Sequence, residues 1–176
     1  MAKSLAIASL QILSLLLVAS LAQSRIVSKH LTVYEHEIRS GDGQTVFIVA
    51  GLPNVTWAFN QFGTVFVADN ILTRSASIKS QLVGRLQGIG AVASLDGTTI
   101  ETLVSVHFTS GEYSGRTVEL KGIGSQDVNE MAIVGVGGTK QFRYATGYAN
   151  FEMLRVVDDF ITAKWDLYIR LDIPDD

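Results

Sequence analysis

Between Thr98 and Phe108 apolar and polar side chains alternate strictly: Ile100, Thr102, Val104, Val106 and Phe108 fall on one face, Glu101, Leu103, Ser105 and His107 on the other. A period of two is the mark of a half-buried strand. Segments rich in Val, Ile, Thr, Phe and Tyr recur at Leu31 to Arg39, Thr45 to Ala50, Phe62 to Asp69, Gln81 to Leu95, Arg116 to Lys121, Met131 to Val136, Tyr144 to Leu154 and Ala163 to Ile173. Eight or nine strands are predicted, and no long helical period competes. Between them lie Ser40-Gly-Asp-Gly43, Asp96-Gly97 and Ser110-Gly-Glu-Tyr-Ser-Gly115, residues that tolerate the positive φ of tight hairpins. Pro53 and Pro174 sit in a loop and near the tail, where they block no strand pairing. Many strands, short turns and one domain's length predict an all-β fold, an eight-stranded antiparallel β-barrel, with a sandwich as the alternative.

The first 22 residues break this pattern. Lys3 precedes an apolar run from Leu5 to Val18, and Ser20-Leu-Ala22 places small residues where a signal peptidase cuts. Residues 1–22 therefore read as a signal peptide and 23–176 as the mature domain. The run is too short and too interrupted for a membrane anchor, which needs about 20 apolar residues, so a secreted, extracellular protein is expected.

Composition then narrows the chemistry. The 176 residues carry 14 basic and 17 acidic side chains; losing Lys3 with the signal leaves the mature chain at net −4, which disfavours nucleic acid as a partner. There is no cysteine, so thiolate catalysis and Cys-based metal sites are excluded. The glycine clusters Gly122-Ile-Gly124 and Gly135-Val-Gly-Gly-Thr-Lys140 lack the spacing of dinucleotide or phosphate loops. No Gly-x-Ser-x-Gly elbow occurs, and His30, His36 and His107 are too dispersed for a metal pair. No metal or cofactor is expected.

Carboxylates within strands are the sharper signal, because burying one is costly unless it is paired or used. Glu37 and Asp69 are the candidate catalytic acids. Facing a barrel interior, either would gain proton affinity and could exchange a proton with a phenolic or quinone-methide ligand. His107, on its alternating strand, is a candidate wall residue or proton carrier. Asn54-Val-Thr56 is an N-glycosylation sequon in a loop-like stretch.

Several segments, in order, resemble the plant dirigent proteins: Tyr34-Glu-His-Glu37, Phe62-Gly-Thr-Val-Phe-Val-Ala-Asp-Asn-Ile-Leu-Thr73, Leu82-Val-Gly-Arg-Leu-Gln-Gly88, Phe108-Thr-Ser-Gly-Glu-Tyr-Ser-Gly115, Gly138-Thr139 with Phe142-Arg143, and Gly147-Tyr-Ala149. The resemblance spans about residues 30 to 173. It implies a secreted, glycosylated barrel, a trimeric or dimeric homo-oligomer, whose cavity orients phenoxy radicals supplied by an external laccase or peroxidase. Monolignols such as coniferyl alcohol then couple to one lignan enantiomer. Some relatives instead catalyse dehydration or cyclisation through quinone methides. His36, His107 and Asp127 become candidate substrate-binding residues, Asp127 standing near the place of a cavity aspartate in relatives.

The chain also departs from the family pattern. Glu37 stands for the usual aspartate after histidine, Asn70 for the second of two aspartates, and Asn129 and Thr146 for two arginines. Gly90 and Val92 stand where lignan-forming relatives carry aromatics. Three readings follow: stereochemical guidance of radical coupling, a dehydratase or cyclase on the same barrel, and a non-catalytic wall or carbohydrate-binding protein. Protein secreted from plant cells is expected to begin at Gln23 and to lose mass on enzymatic deglycosylation, and Asn54→Gln to abolish that loss; N-terminal sequencing and intact mass check both.

Overall fold

A computed structural model describes residues 24–125 and 130–174. The expected signal segment and Asp127 lie outside the described residues. Among the described residues nine strands form one antiparallel sheet: β1 (Ser24–Ile38), β2 (Val46–Ala50), β3 (Val65–Thr73), β4 (Leu82–Val92), β5 (Thr99–Phe108), β6 (Arg116–Ser125), β7 (Glu130–Gly138), β8 (Thr146–Val157) and β9 (Phe160–Pro174). From β3 to β9 each strand pairs with the next in sequence, the arrangement that short turns enforce. The first strand lies antiparallel to the last along its full length, from Ser24↔Pro174 to Ile38↔Phe160.

β1 also reaches β3, through Tyr34↔Thr73, Glu35↔Leu72 and His36↔Ile71. That short seam gives the sheet its barrel-like curl. The rest of the same β3 edge is taken by β2, from Val46↔Ala68 to Ala50↔Val65, and the Asp69 amide, between the two pieces, donates to Thr45 O at 2.9 Å. One stave is thus built from two segments of chain. This is why nine strands occupy the place of the eight expected.

The alternation read from the sequence sorts the side chains. Val104, Val106 and Phe108 of β5 face inward with Leu72, Leu86, Val118, Leu120, Trp165, Leu167 and Ile169 from the other strands. At the end where β3 stops and β4 begins, a 3₁₀ turn at Lys140–Phe142 drives Phe142 fully into the core. Its ring lies 5.3 Å from that of Tyr113 and 6.1 Å from that of Phe108, centroid to centroid. Aromatic packing therefore fills this end of the interior.

Curl demands close backbones, and β4 meets that demand with inward-facing glycines. A Cβ at Gly88 would stand 2.2 Å from Leu103 O, and one at Gly84 2.1 Å from His107 O. Both obstacles are main chain of the neighbouring strand, which cannot step aside without breaking the ladder. Gly88→Ala is expected to destabilise the fold by about 2 kcal/mol or more, read as a lowered urea midpoint.

Candidate functional site

The site grows from β1. Leu31, Val33, Glu35 and Glu37 share the inward face, because Val33 pairs with Trp165, Glu35 with Ala163 and Glu37 with Ile161 of the inward row of β9. Directly opposed residues of antiparallel strands point to the same side. A charged residue therefore enters the interior at two successive inward positions.

Glu35 is buried, 4% exposed. Asn70 Nδ2 donates to its Oε1 at 2.5 Å and Trp165 Nε1 to its Oε2 at 2.7 Å. Burial pushes its carboxyl up to about 7, helped by the neighbouring charge of Glu37; the hydrogen bonds from Trp165 and Asn70 and the charge of Arg39 pull the other way without prevailing. This is the perturbed acid of the interior.

Glu37 sits one inward position nearer the open end, its side chain 17% exposed and ion-paired with Arg39 through Nε. The Arg39 guanidinium lies 4.4 Å from the centre of the Phe59 ring, which packs edge-on against Phe66 at 5.4 Å. Cation and aromatic face attract each other, so the segment between β2 and β3 holds the Arg39–Glu37 pair in place. Across β9 the inward rows continue to β8, Ala163 to Met153 and Ile161 to Val156. Met153 and Val156 are 47% and 58% exposed. Beyond them Phe151 packs edge-on against Trp165 at 5.0 Å. The mouth thus combines a reachable carboxylate, a buried acid behind it and an apolar wall.

A surface depression of about 400 Å³ lies at the opposite end, floored by Leu31, Val33, Val83 and Phe108. Neither Glu35 nor Glu37 lines it. Among the described residues no three His, Asp or Glu side chains gather as a metal site.

Of the residues expected from the sequence, Glu37 lines the interior, and the strand period turns three others outward. Asp69 is half exposed, its side chain bonded to Arg85 Nε while Arg85 Nη2 donates to Asp69 O at 2.7 Å. It is an outer-face ion pair and does not share a cavity with Glu37. His107 lies beside Arg85 and Thr117 on that same outer face. His36 is buried, but on the outer side of the seam, where Nε2 lies 2.8 Å from Thr73 Oγ1 and the ring stacks on Phe160. Burial lowers its proton affinity. Of the two candidate acids and His107, only Glu37 therefore faces the interior. Asn54 is exposed in the β2–β3 loop with φ 62°, sterically open to a glycan. The missed residue is Glu35, whose signal was its position two before Glu37 on the same strand face.

Comparison with known proteins places this geometry. The model of the family described as dirigent-like protein matches residues 28–170. Dirigent protein 11 of Arabidopsis thaliana is 32% identical over 140 residues, covering 80% of this chain and 72% of its own length. Pterocarpan synthase 1 of Glycyrrhiza echinata is 35% identical over 147 residues, covering 82% and 75%. A solved pterocarpan synthase dirigent protein superposes with a TM-score of 0.75 at 32% identity, covering 85% of this chain and 88% of that one.

The proton affinity of Glu35 has a consequence for stability. From about 4.5, its ordinary value, to about 7, the folded chain keeps a proton that the unfolded chain has released, so this group removes stability as pH rises through that window. Above it the penalty is constant. Glu35→Gln is expected to match the wild type at pH 4 and to exceed it by roughly 3 kcal/mol at pH 8, measured by urea unfolding at both.

Proposed function

The chain belongs to the dirigent family, and we propose that it holds a phenolic intermediate at the barrel mouth and controls its dehydration or ring closure by proton transfer. The observation that carries this is the placement of Glu35, buried and high in proton affinity, directly behind the reachable Glu37. Protonation of a benzylic hydroxyl by the acid, with removal of the phenolic proton by the carboxylate, expels water and leaves a neutral quinone methide. Addition of an internal hydroxyl then closes the ring: the hydroxyl proton passes to Glu35, restoring the acid, and Glu37 returns its proton to the former phenolic oxygen. No oxidant enters this balance. The apolar wall of Met153, Val156 and Phe151 would fix which ring face is presented, an orientation effect. The similarity to relatives named as pterocarpan synthases supports this reading.

A second reading is guidance of phenoxy-radical coupling, as in lignan formation from coniferyl alcohol, with an external laccase or peroxidase removing the electrons. The relative named dirigent protein 11 and the apolar wall favour it, because a neutral radical needs positioning more than proton transfer. Secretion, a glycan on Asn54 and assembly as a homo-oligomer accompany either reading.

Chiral product analysis over a panel of phenols and benzylic alcohols, with and without laccase, separates the two. Turnover without oxidase, falling about 100-fold in Glu37→Gln, is the expected result. Enantioselective product only with oxidase would shift the assignment to radical coupling, and racemic product in both arms would overturn both.

A further inference from the structure

The two ends of the Asn70 side chain differ in a way the fold alone does not explain. Asn70 is 1% exposed. Its Nδ2 donates to Glu35 Oε1 at 2.5 Å, yet its Oδ1 is buried with no hydrogen-bond partner. A buried acceptor left unmade costs about 1–3 kcal/mol, so the orphan calls for a state in which it is used.

Glu35 supplies that state. Both of its oxygens accept here, one from Asn70 and one from Trp165, the pattern of an ionised carboxylate. Once a proton is added, one oxygen becomes a donor. The indole of Trp165 can only donate. An amide can do either, since a half-turn of its terminal torsion exchanges Oδ1 for Nδ2 in nearly the same volume.

We propose that Asn70 is the positioning residue for the Glu35 proton: its amide donates through Nδ2 to the ionised carboxylate, and turns over to accept the O–H of the protonated acid through Oδ1. In either state the buried acid keeps a matched partner. Glu35 can then give up a proton and take one back without leaving a mismatched contact in the interior, which a reaction that borrows and returns a proton requires. The inference rests on the proton-transfer reading above and deepens it.

Few charges compete for control of this proton. On the same side of β1 the ionisable groups beside Glu35 are Glu37 and Arg39, while Lys29 and Arg25 share that side further along the strand, beyond Val33 and Leu31. The inward positions packed against Glu35 from β3, β8 and β9 are Asn70, Leu72, Phe151, Met153, Ala163 and Trp165, none of which titrates. Asp69, Glu152, Lys164 and Asp166 on those strands face outward.

The test is a pH titration of the isotopically labelled protein by NMR, following the Asn70 side-chain amide and the Glu35 carboxyl carbon. The Asn70 signals are expected to shift with the midpoint of Glu35, and to lose that transition in Glu35→Gln. Asn70 signals that stay flat while Glu35 titrates, or that still titrate in Glu35→Gln, would overturn the proposal. Asn70→Leu removes a partner of both forms, so the proton affinity of Glu35 should stay within about threefold; an amide that only donates predicts a rise of roughly tenfold or more. The wild-type and Glu35→Gln comparison stands even if the leucine variant does not fold. No substrate is involved, so failure of the proposed reaction in product assays is distinguishable from failure of this hydrogen-bond exchange.

Discussion

A carboxyl group enclosed by side chains resists ionisation, and the region around Glu35 is organised by that resistance. Two neutral donors, Asn70 and Trp165, meet its oxygens from β3 and β9. A second carboxylate presses on it from Glu37. These influences oppose each other, and the balance leaves a group that can change charge near neutrality inside an otherwise apolar layer. The interior accommodates such a group because three strands converge there: β1 carries it, while β3 and β9 pair with β1 over the same residues.

That convergence depends on how the sheet curls. The seam between β1 and β3 is three residue pairs long, yet it brings Asn70 within reach of Glu35. Inward glycines in β4 let the neighbouring strand β5 approach, and the aromatic cluster of Phe108, Tyr113 and Phe142 takes up volume at the far end. Side chains that give the barrel its shape and those that give it chemistry are therefore segregated along its axis. The segment bearing Phe59 belongs to the second group, since it steadies Arg39 and through it Glu37.

Much of this fold is legible in local pattern. The alternation from Thr98 to Phe108 predicts a strand that the structure places at Thr99–Phe108, and the Gly-rich turns mark the hairpins because positive φ is a local property. The start of β1 escapes such reading: Ser24 to His30 is a strand because β9 lies alongside it, a non-local pairing with little trace in composition. The site is legible by half. Glu37 stands out as an acid in a strand, but inward or outward facing is a matter of parity against a core that only the assembled barrel defines. Asp69 fails on that parity. Glu35 would have been found by extending the alternation from Glu37 by one step, since two residues along a strand share a face.

The aromatic filling at one end also bears on traffic. With Phe142 and Phe108 buried there and Val33 buried in the layer beneath Glu35, the interior is closed on that side of the acids. Whatever reaches the acids must depart by the way it came. Release and entry then compete for one doorway, so the order in which molecules visit is set by the exit of the last occupant, and a product that lingers acts as its own cork.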